Sequence, residues 1–297
     1  MSNTLIAVDS SGSYRLYLTI TTEMVAEAQR IHGCTPLAAA ALGRTVTAAG
    51  MMGLMLKGDG DRLTVQFKGD GPAKEILACA NARGEVKGYI SDPYVDLPLK
   101  SNGKLDVGGS LGKGSLTVIR DIGLKEPYVG RIELVSGEIA EDLTQYFAVS
   151  EQQPSSVALG VMVDKYGKVC AAGGMIVQVL PGADDKCLSA LEDTLFFMNS
   201  MTVNVMDSMN VDDMMNRIFG SMPEEYRPHV LDHRDISCHC DCSRERMEKA
   251  LISIGKADLA KIIEEDGKAE LTCSFCRNSY SFNRDELTAL LEKAGIR

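Results

Sequence analysis

Cysteine is the residue type in this chain with the most chemistry to offer. Three thiols alternate at Cys238, Cys240 and Cys242 in "DISCHCDCSRERMEK", and two more stand at Cys273 and Cys276 in "LTCSFCRNSYSF". Close pairs of cysteines on two turns, with thirty residues between Cys242 and Cys273, suit a tetrahedral four-thiolate zinc site, because each pair chelates from one turn and folding joins the pairs. The CxxC half lies between Leu271 and the aromatics Tyr280 and Phe282, a setting for the knuckle of a small hairpin. Cys242 adjoins Ser243, the expected cap of the helix "SRERMEKALISIG", where the positive end of the helix dipole favours a thiolate. Spacing alone leaves the companion of Cys242 open between Cys240 and Cys238, and His239 is a candidate nitrogen ligand. The plainer reading, free surface thiols on a mobile tail, fits poorly with five thiols in about forty residues, since exposed free cysteines are reactive liabilities.

The elements that must position these thiols read as a small unit over 237–297. It has a helix over 243–254 stopped by Gly255, a second over 257–266 stopped by Gly267, the CxxC hairpin, and a last helix from Asn283 in which Asn283 and Glu286 are spaced as a capping box. Before it, residues 184–222 read as helices with short breaks, with Leu188, Leu191, Leu195 and Met198 on one face. This stretch holds seven of the fifteen methionines, Met198, Met201, Met206, Met209, Met214, Met215 and Met222, along with Phe196, Phe197 and Phe219. A methionine stripe at helical spacing is ordinarily core, but Met-rich surfaces also repack against varied partners. "PEEYRPH" then marks a boundary.

Residues 1–181 are mostly strand. A hairpin is expected over 5–20, with Tyr14, Leu16, Leu18 and Ile20 on one face, and strands in "RLTVQFKG", "EVKGYIS", "SLTVIRD", "YVGRIELV", "ALGVMVD" and "CAAGGMIVQVLPG". Thr35 as cap, Pro36 as first residue and Gly58 as stop define a helix in which Gly43, Gly50 and Gly53 permit close approach to a sheet. A further helix is expected in "SGEIAEDLTQYFAVSEQQPSS". The fold class is therefore α+β: a sheet-and-helix core domain over 1–181, an all-helical Met-rich linker over 182–236 and a small zinc-binding domain over 237–297.

Composition narrows the function. With 297 residues, 45% hydrophobic, 24% charged and no Trp, the chain is an ordinary globular one, and its net charge of −10 argues against a polyanion as main partner. Residues 238–297 carry ten Lys/Arg against eleven Asp/Glu, which leaves a zinc-ribbon nucleic-acid module without a basic stripe. "TPLAAAALGRTVTAAGMMGLMLKG" is apolar but Ala-based and interrupted by Arg44, so a buried helix is expected there and no membrane partner. The N-terminus has no secretory pattern, so a reducing, cytoplasmic setting is expected, in which the nine cysteines are free, metal-bound or redox-active. No enzyme is expected. "GGSLG" around Ser110 matches G-x-S-x-G only formally, since a strand follows it, and HExxH, P-loop and GxGxxG patterns are missing. A zinc catalyst with a histidine from His229, His233 or His239 and an open coordination position is a further alternative, but four thiolates leave no such opening.

The run "CDCSRER", then "CSFCRNSYSF" thirty residues on, resembles the zinc switch of the redox-regulated holdase chaperones of the heat-shock protein 33 family. The likeness extends upstream to "KGDGPAKEILACANARGEVKGYI" and "GEIAEDLTQYFAVSEQQPSSVALGVMV". Residue by residue, it implies one Zn2+ per chain in the reduced state on Cys240, Cys242, Cys273 and Cys276, with Cys238 outside the pattern. It also implies that oxidation releases the metal with disulfides Cys240–Cys242 and Cys273–Cys276, unfolds the C-terminal unit and loosens the linker. The exposed surface then holds unfolded client proteins without ATP, as a homodimer. The alternative from the residues alone is a nucleic-acid or protein-binding module with a constitutive structural zinc.

Overall fold

The structure, a computed structural model, describes residues 3–294, and the chain forms two compact units that divide after His239.

In the first unit β1 (Thr4–Asp9) and β2 (Tyr14–Ile20) form the expected hairpin. α1 (Thr22–His32) and α2 (Pro36–Gly53) follow. Next come β3 (Arg62–Gly69), β4 (Glu75–Asn81), β5 (Glu85–Ile90), the short α3 (Val107–Leu111), β6 (Gly114–Asp121) and β7 (Tyr128–Glu133). α4 (Ala140–Val149), β8 (Ser155–Val163) and β9 (Val169–Val179) complete this part. The linker gives α5 (Asp185–Phe197), α6 (Met201–Asp207) and α7 (Val211–Phe219), then β10 (Pro228–Arg234) and β11 (Ser237–Cys238). The strands form a five-stranded sheet in the order β10-β1-β2-β9-β8 and a six-stranded sheet in the order β11-β5-β4-β3-β6-β7.

α2 is the centre of the unit. It packs on β4 and β5 of one sheet and on β8 and β9 of the other, so nearly all its residues are buried and only small side chains fit all round it. Thr35 accepts a hydrogen bond from the Ala38 amide at 3.3 Å and Pro36 takes the first turn. A Cβ at Gly53 would lie 2.7 Å from the Asn81 carbonyl oxygen of β4, and one at Gly43 2.9 Å from Val161 of β8. Gly50, expected to meet a sheet, instead makes room for Ile236, 2.4 Å from its would-be Cβ. The helix ends at Gly53 rather than before Gly58, because a tight turn in which Met55 and Leu56 donate to Met52 and Gly53 carbonyls closes it there. Among the described residues no helix is long and apolar enough to cross a membrane.

The α+β class holds, with one correction inside the linker. Its helices reach only Phe219, and from Pro228 the chain extends as β10 along β1, pairing Thr4 with Arg234 and Asp9 with Pro228. Pro228 is tolerated as the first residue of an edge strand. α5–α7 cover the outer face of the five-stranded sheet. Leu5, Leu16, Leu18, Met175 and Val177 of that face share a core with Leu191, Met201, Met214, Ile218, Phe219 and Met222 of the linker. Phe219 stacks on Tyr14 with ring centroids 6.3 Å apart, and the Tyr14 hydroxyl donates to the Tyr226 carbonyl at 2.9 Å. The methionines divide: Met201, Met214, Met215 and Met222 are buried, whereas Met206 and Met209, like Phe196 and Phe197, are exposed.

The second unit contains α8 (Arg244–Ser253), α9 (Lys256–Glu265), β12 (Lys268–Thr272), β13 (Ser279–Asn283) and α10 (Arg284–Ala294). Asn283 and Glu286 make the reciprocal cap, each side chain accepting from the other's amide, at 3.0 and 2.9 Å. The fully buried apolar side chains here are few: Leu251, Leu259, Phe282, Leu287 and Leu290.

Candidate metal centre

Two local structures hold the thiols of the second unit. Cys240 and Cys242 lead into α8, whose cap Ser243 accepts from the Arg246 amide at 3.3 Å. Arg244 fixes the start of α8 on the hairpin: its guanidinium lies 4.3 Å over the Phe282 ring, donates to the Ser281 carbonyl at 3.0 Å and pairs with Glu286 at 2.6 Å. The other pair sits at the tip of the β12–β13 hairpin, after the last ladder pair Thr272↔Ser279. There the Cys273 amide donates to Asn278 and the Arg277 amide to Cys273, both at 2.9 Å, and Arg277 takes the left-handed conformation at φ 61°. This is the knuckle expected from CxxC.

The two local structures bring the Sγ atoms of Cys240, Cys242, Cys273 and Cys276 within 4.8 Å of one another. Cys240 and Cys273 are 3.7 Å apart, Cys242 and Cys276 3.3 Å. A tetrahedral ion with metal–sulfur bonds of about 2.3 Å sets sulfur–sulfur edges of about 3.8 Å, so the cluster is the right size for one ion. The sulfurs lie well beyond the ~2.05 Å of a disulfide, and all four cysteines are free.

The thiols also carry the polarity of a ligand set. Burial alone would raise the Cys273 thiol, but amide hydrogen bonds from Cys276 and Phe275 outweigh it and hold Cys273 below the ordinary cysteine range. Cys240 and Cys276 are pushed up, first by burial and then by neighbouring thiols. Four thiolates this close cannot all ionise without a compensating cation. The Tyr280 hydroxyl is 3.1 Å from Cys242 Sγ. That hydrogen bond, then burial and the nearby thiols, raise the Tyr280 pKa to about 12, so it remains a donor to sulfur. These four cysteines form a cluster that could hold one metal ion.

Cys238, which spacing leaves open, belongs to the first unit. It belongs to β11, which runs parallel to β5 with Cys238 opposite Val86, and its thiol faces the Met24 carbonyl at 3.5 Å. Burial, then the charge of Glu27, pushes it up to about 11. The histidines belong to the first unit. His229 and His233 stand on β10, where His233 Nε2 meets Asp212 at 2.9 Å, and the His239 amide donates to the Val86 carbonyl. Ser110 is fully buried in α3 and its hydroxyl donates to the Val107 carbonyl at 2.7 Å, a structural role with no access for a substrate. The missed contributors are Tyr280, read only as a hairpin aromatic, and Arg244. The Tyr280 spacing of four residues from Cys276 was the available signal.

Fold and cluster together define a two-unit α+β protein with four clustered thiols in its C-terminal unit. A family model described as Hsp33 protein matches residues 3–283. The chain is 46% identical over 284 residues to the 33 kDa chaperonin of Ruminiclostridium cellulolyticum, covering 96% of each. It is 43% identical over 288 residues to the 33 kDa chaperonin of Bacillus subtilis, covering 97% of each. The crystal structure of the 33 kDa chaperonin (heat shock protein 33 homolog) from Thermotoga maritima is similar over 100% of both chains, with a TM-score of 0.88 at 34% identity. The chain belongs to the Hsp33 family, and it is a chaperone whose partners are client proteins.

Proposed function

We propose that this protein is a redox-regulated, ATP-independent holdase whose metal is zinc. The observation that carries the reading is the four-thiol cluster, which begins at Cys240, two residues after the last strand anchored in the first unit. Zinc, when bound, supplies the cross-link that the small core of the second unit lacks, with an apparent binding energy of about 10–16 kcal/mol in comparable four-ligand sites. Cys240, Cys242, Cys273 and Cys276 hold it as thiolates, aided by the amides at Cys273 and the Tyr280 hydroxyl.

These thiolates are also the nucleophiles that attack a peroxide's O–O bond. The pair Cys240 and Cys242 and the pair Cys273 and Cys276 each give up two electrons and close one S–S bond, and for each pair one peroxide takes those electrons with two protons, its O–O bond breaking to leave two waters. The CxC ring is small and strained, so it forms under strongly oxidising conditions and is readily reduced again. The second unit then has only its few buried side chains to hold it. The linker it follows is a separable cover: releasing α5–α7 bares the face of Leu5, Leu16, Leu18, Met175 and Val177 and frees the buried methionines for adaptable contacts with unfolded proteins. We place this activity in the cytoplasm, in a dimeric activated form, with neither nucleic acid nor membrane as partner.

The test pairs zinc content with light scattering from a heat-unfolding client, before and after peroxide at elevated temperature. Zinc loss together with newly gained suppression of aggregation is expected. A reduced, zinc-loaded protein that suppresses aggregation as well as the oxidised one would refute the switch, and an oxidised protein that never does so would leave the zinc a structural role only.

A further inference from the structure

β8 ends the five-stranded sheet, and α4 guards only its first half, where the Val157 amide donates to the Thr144 hydroxyl at 3.2 Å. Across the ladder the Val179 amide donates to the Pro154 carbonyl at 2.9 Å. Bonding direction alternates along an antiparallel strand. Ser156, Ala158 and Gly160 therefore bond to β9, while Leu159 and Val161 turn their amides and carbonyls outward in phase with Val157. Among the described residues no other strand pairs with β8 on that side. Val161 is nevertheless only 7% exposed and Leu159 half-buried, and backbone groups so placed are ordinarily paired.

A cavity of about 470 Å³ lies along this stretch. Arg44 of α2 lines it from one side of the sheet, and Met201 and Thr202 of α6 from the other, so it opens at the edge of the strand. Val161 meets α2 at Gly43, and Gly160 meets α6, its would-be Cβ 2.9 Å from Thr202. The outer wall is the turn over 99–105. That turn is closed by the Gly103 amide on the Lys100 carbonyl at 2.8 Å and tied down by ion pairs of Lys100 with Glu138 and Asp106. Positive charge is left over: Arg44 pairs with Glu138 through one nitrogen and its Nε has no partner, while Lys104 at the rim makes no ion pair among the described residues. Asp164, the acid of the lining, already accepts the Tyr166 and Lys168 amides.

We infer that this groove binds a short extended peptide that adds a strand to β8 and ends in a free carboxylate beside Lys104 and Arg44. Leu159 and Val161 each offer an amide and a carbonyl to the added strand, the apolar walls take its alternate side chains, and the two cations take its carboxylate. Because α6 forms one wall, the groove is complete only while the linker lies on the sheet. A ligand that favours one of two states draws the equilibrium toward it, so the bound peptide holds the cover shut and opposes activation. The groove is thus an effector site, distinct from the face that release of α5–α7 bares. Peptide binding stands on the groove alone; its effect on activation rests on the holdase reading.

The probe is a short fluorescein-labelled peptide of alternating valine and serine with a free C-terminal carboxylate, titrated by anisotropy into the reduced, zinc-loaded full chain. Saturable binding is expected, weakened about tenfold or more by amidating the peptide or by Lys104→Glu; Lys104 is exposed, and circular dichroism checks the fold. Two N-methylated peptides, one methylated at the valines and one at the serines, read strand addition directly. Only alternate amides of an added strand face β8, so one isomer should bind like the parent and the other should fail. Hydrogen exchange should show protection gained over 159–163 and 201–207 when the parent peptide is bound. No saturable binding, equal binding of the two isomers or of the amidated peptide, or binding without protection gained over 201–207 would each overturn the inference. If peroxide elicits no aggregation suppression even without peptide, the holdase reading fails while binding and protection still support the groove. If peroxide does elicit it and the bound peptide does not slow its onset, the effector role is refuted.

Discussion

Phe219→Ala isolates the grip of the linker on the sheet. Phe219 is 1% exposed, stacks on Tyr14 and shares its core with Met214, Met215 and Ile218. Truncating a buried phenylalanine costs about 3–5 kcal/mol, with the aromatic pair contributing part of it. Because α7 lies on the sheet as a cover, the cost falls on the equilibrium between covered and uncovered states. Each 1.4 kcal/mol is a factor of ten, so the uncovered population rises by about two to nearly four powers of ten. Metal content should stay unchanged, since Cys240, Cys242, Cys273 and Cys276 belong to the other unit. Hydrogen exchange by mass spectrometry should show protection lost over 185–234, with α2 and β3–β6 retained. The reduced variant should suppress client aggregation where the reduced wild type does not. Equal loss of protection across the whole first unit, or local loss with no gain in aggregation suppression, would refute the claim that the linker is a separable cover.

The Cys273→Ser, Cys276→Ser double variant should bind no zinc in native mass spectrometry and should lose exchange protection throughout 244–293, since a bond worth about 10–16 kcal/mol is removed; unchanged stoichiometry would sink the ligand assignment. Cys238→Ser should leave zinc affinity unaltered, because that thiol belongs to β11 and faces the Met24 carbonyl; a loss as large as that of Cys240→Ser would contradict it. Tyr280→Phe removes a donor to Cys242, so zinc should be released faster under a fixed peroxide dose, followed with a chromophoric chelator; an unchanged rate argues that the hydroxyl is a bystander. Burial alone would raise the Glu138 carboxyl, but Lys100, Arg44 at 2.7 Å and the Gly108 amide hold it below its usual value. Its contribution is therefore present above the ordinary carboxylate range and lost as pH falls through the lower folded value. Glu138→Gln should cost about 1–2 kcal/mol at neutral pH and flatten the acid limb of a urea-stability profile; a cost that persists unchanged into acid would speak against an ionic origin.

Local signals read well wherever one residue decides local geometry. Thr35–Pro36 started α2, Ser243 capped α8, and Asn283 with Glu286 started α10, because a cap depends on side chains a few residues apart. The ligand set was harder. Alternating thiols look equivalent in sequence, and only the parallel pairing of β11 with β5 makes Cys238 part of the first unit's sheet. α1 and β4 went unread. β4 buries Ile76, Ala78 and Ala80, and its alanines are small because α2 lies against it at Gly53, so tertiary contact overrode a strand's usual branched residues. β10 was hidden for a different reason. "PHVLDHR" has no apolar alternation because its side chains are mostly exposed, and the strand is held by backbone bonds to a segment more than two hundred residues away.

That last pairing bears on biosynthesis. β1 leaves the ribosome more than two hundred residues ahead of the strand beside it, residues 228–234, and the helices that cover its sheet come only after residue 184. Closing so long a loop is slow, and domains assemble while synthesis proceeds at about 5–20 residues per second. Every nascent copy therefore passes through an interval in which β1 has an open edge and the apolar sheet face is bare. That interval should make the newborn chain a substrate for other folding helpers, and a stalled or C-terminally truncated copy should remain permanently adhesive.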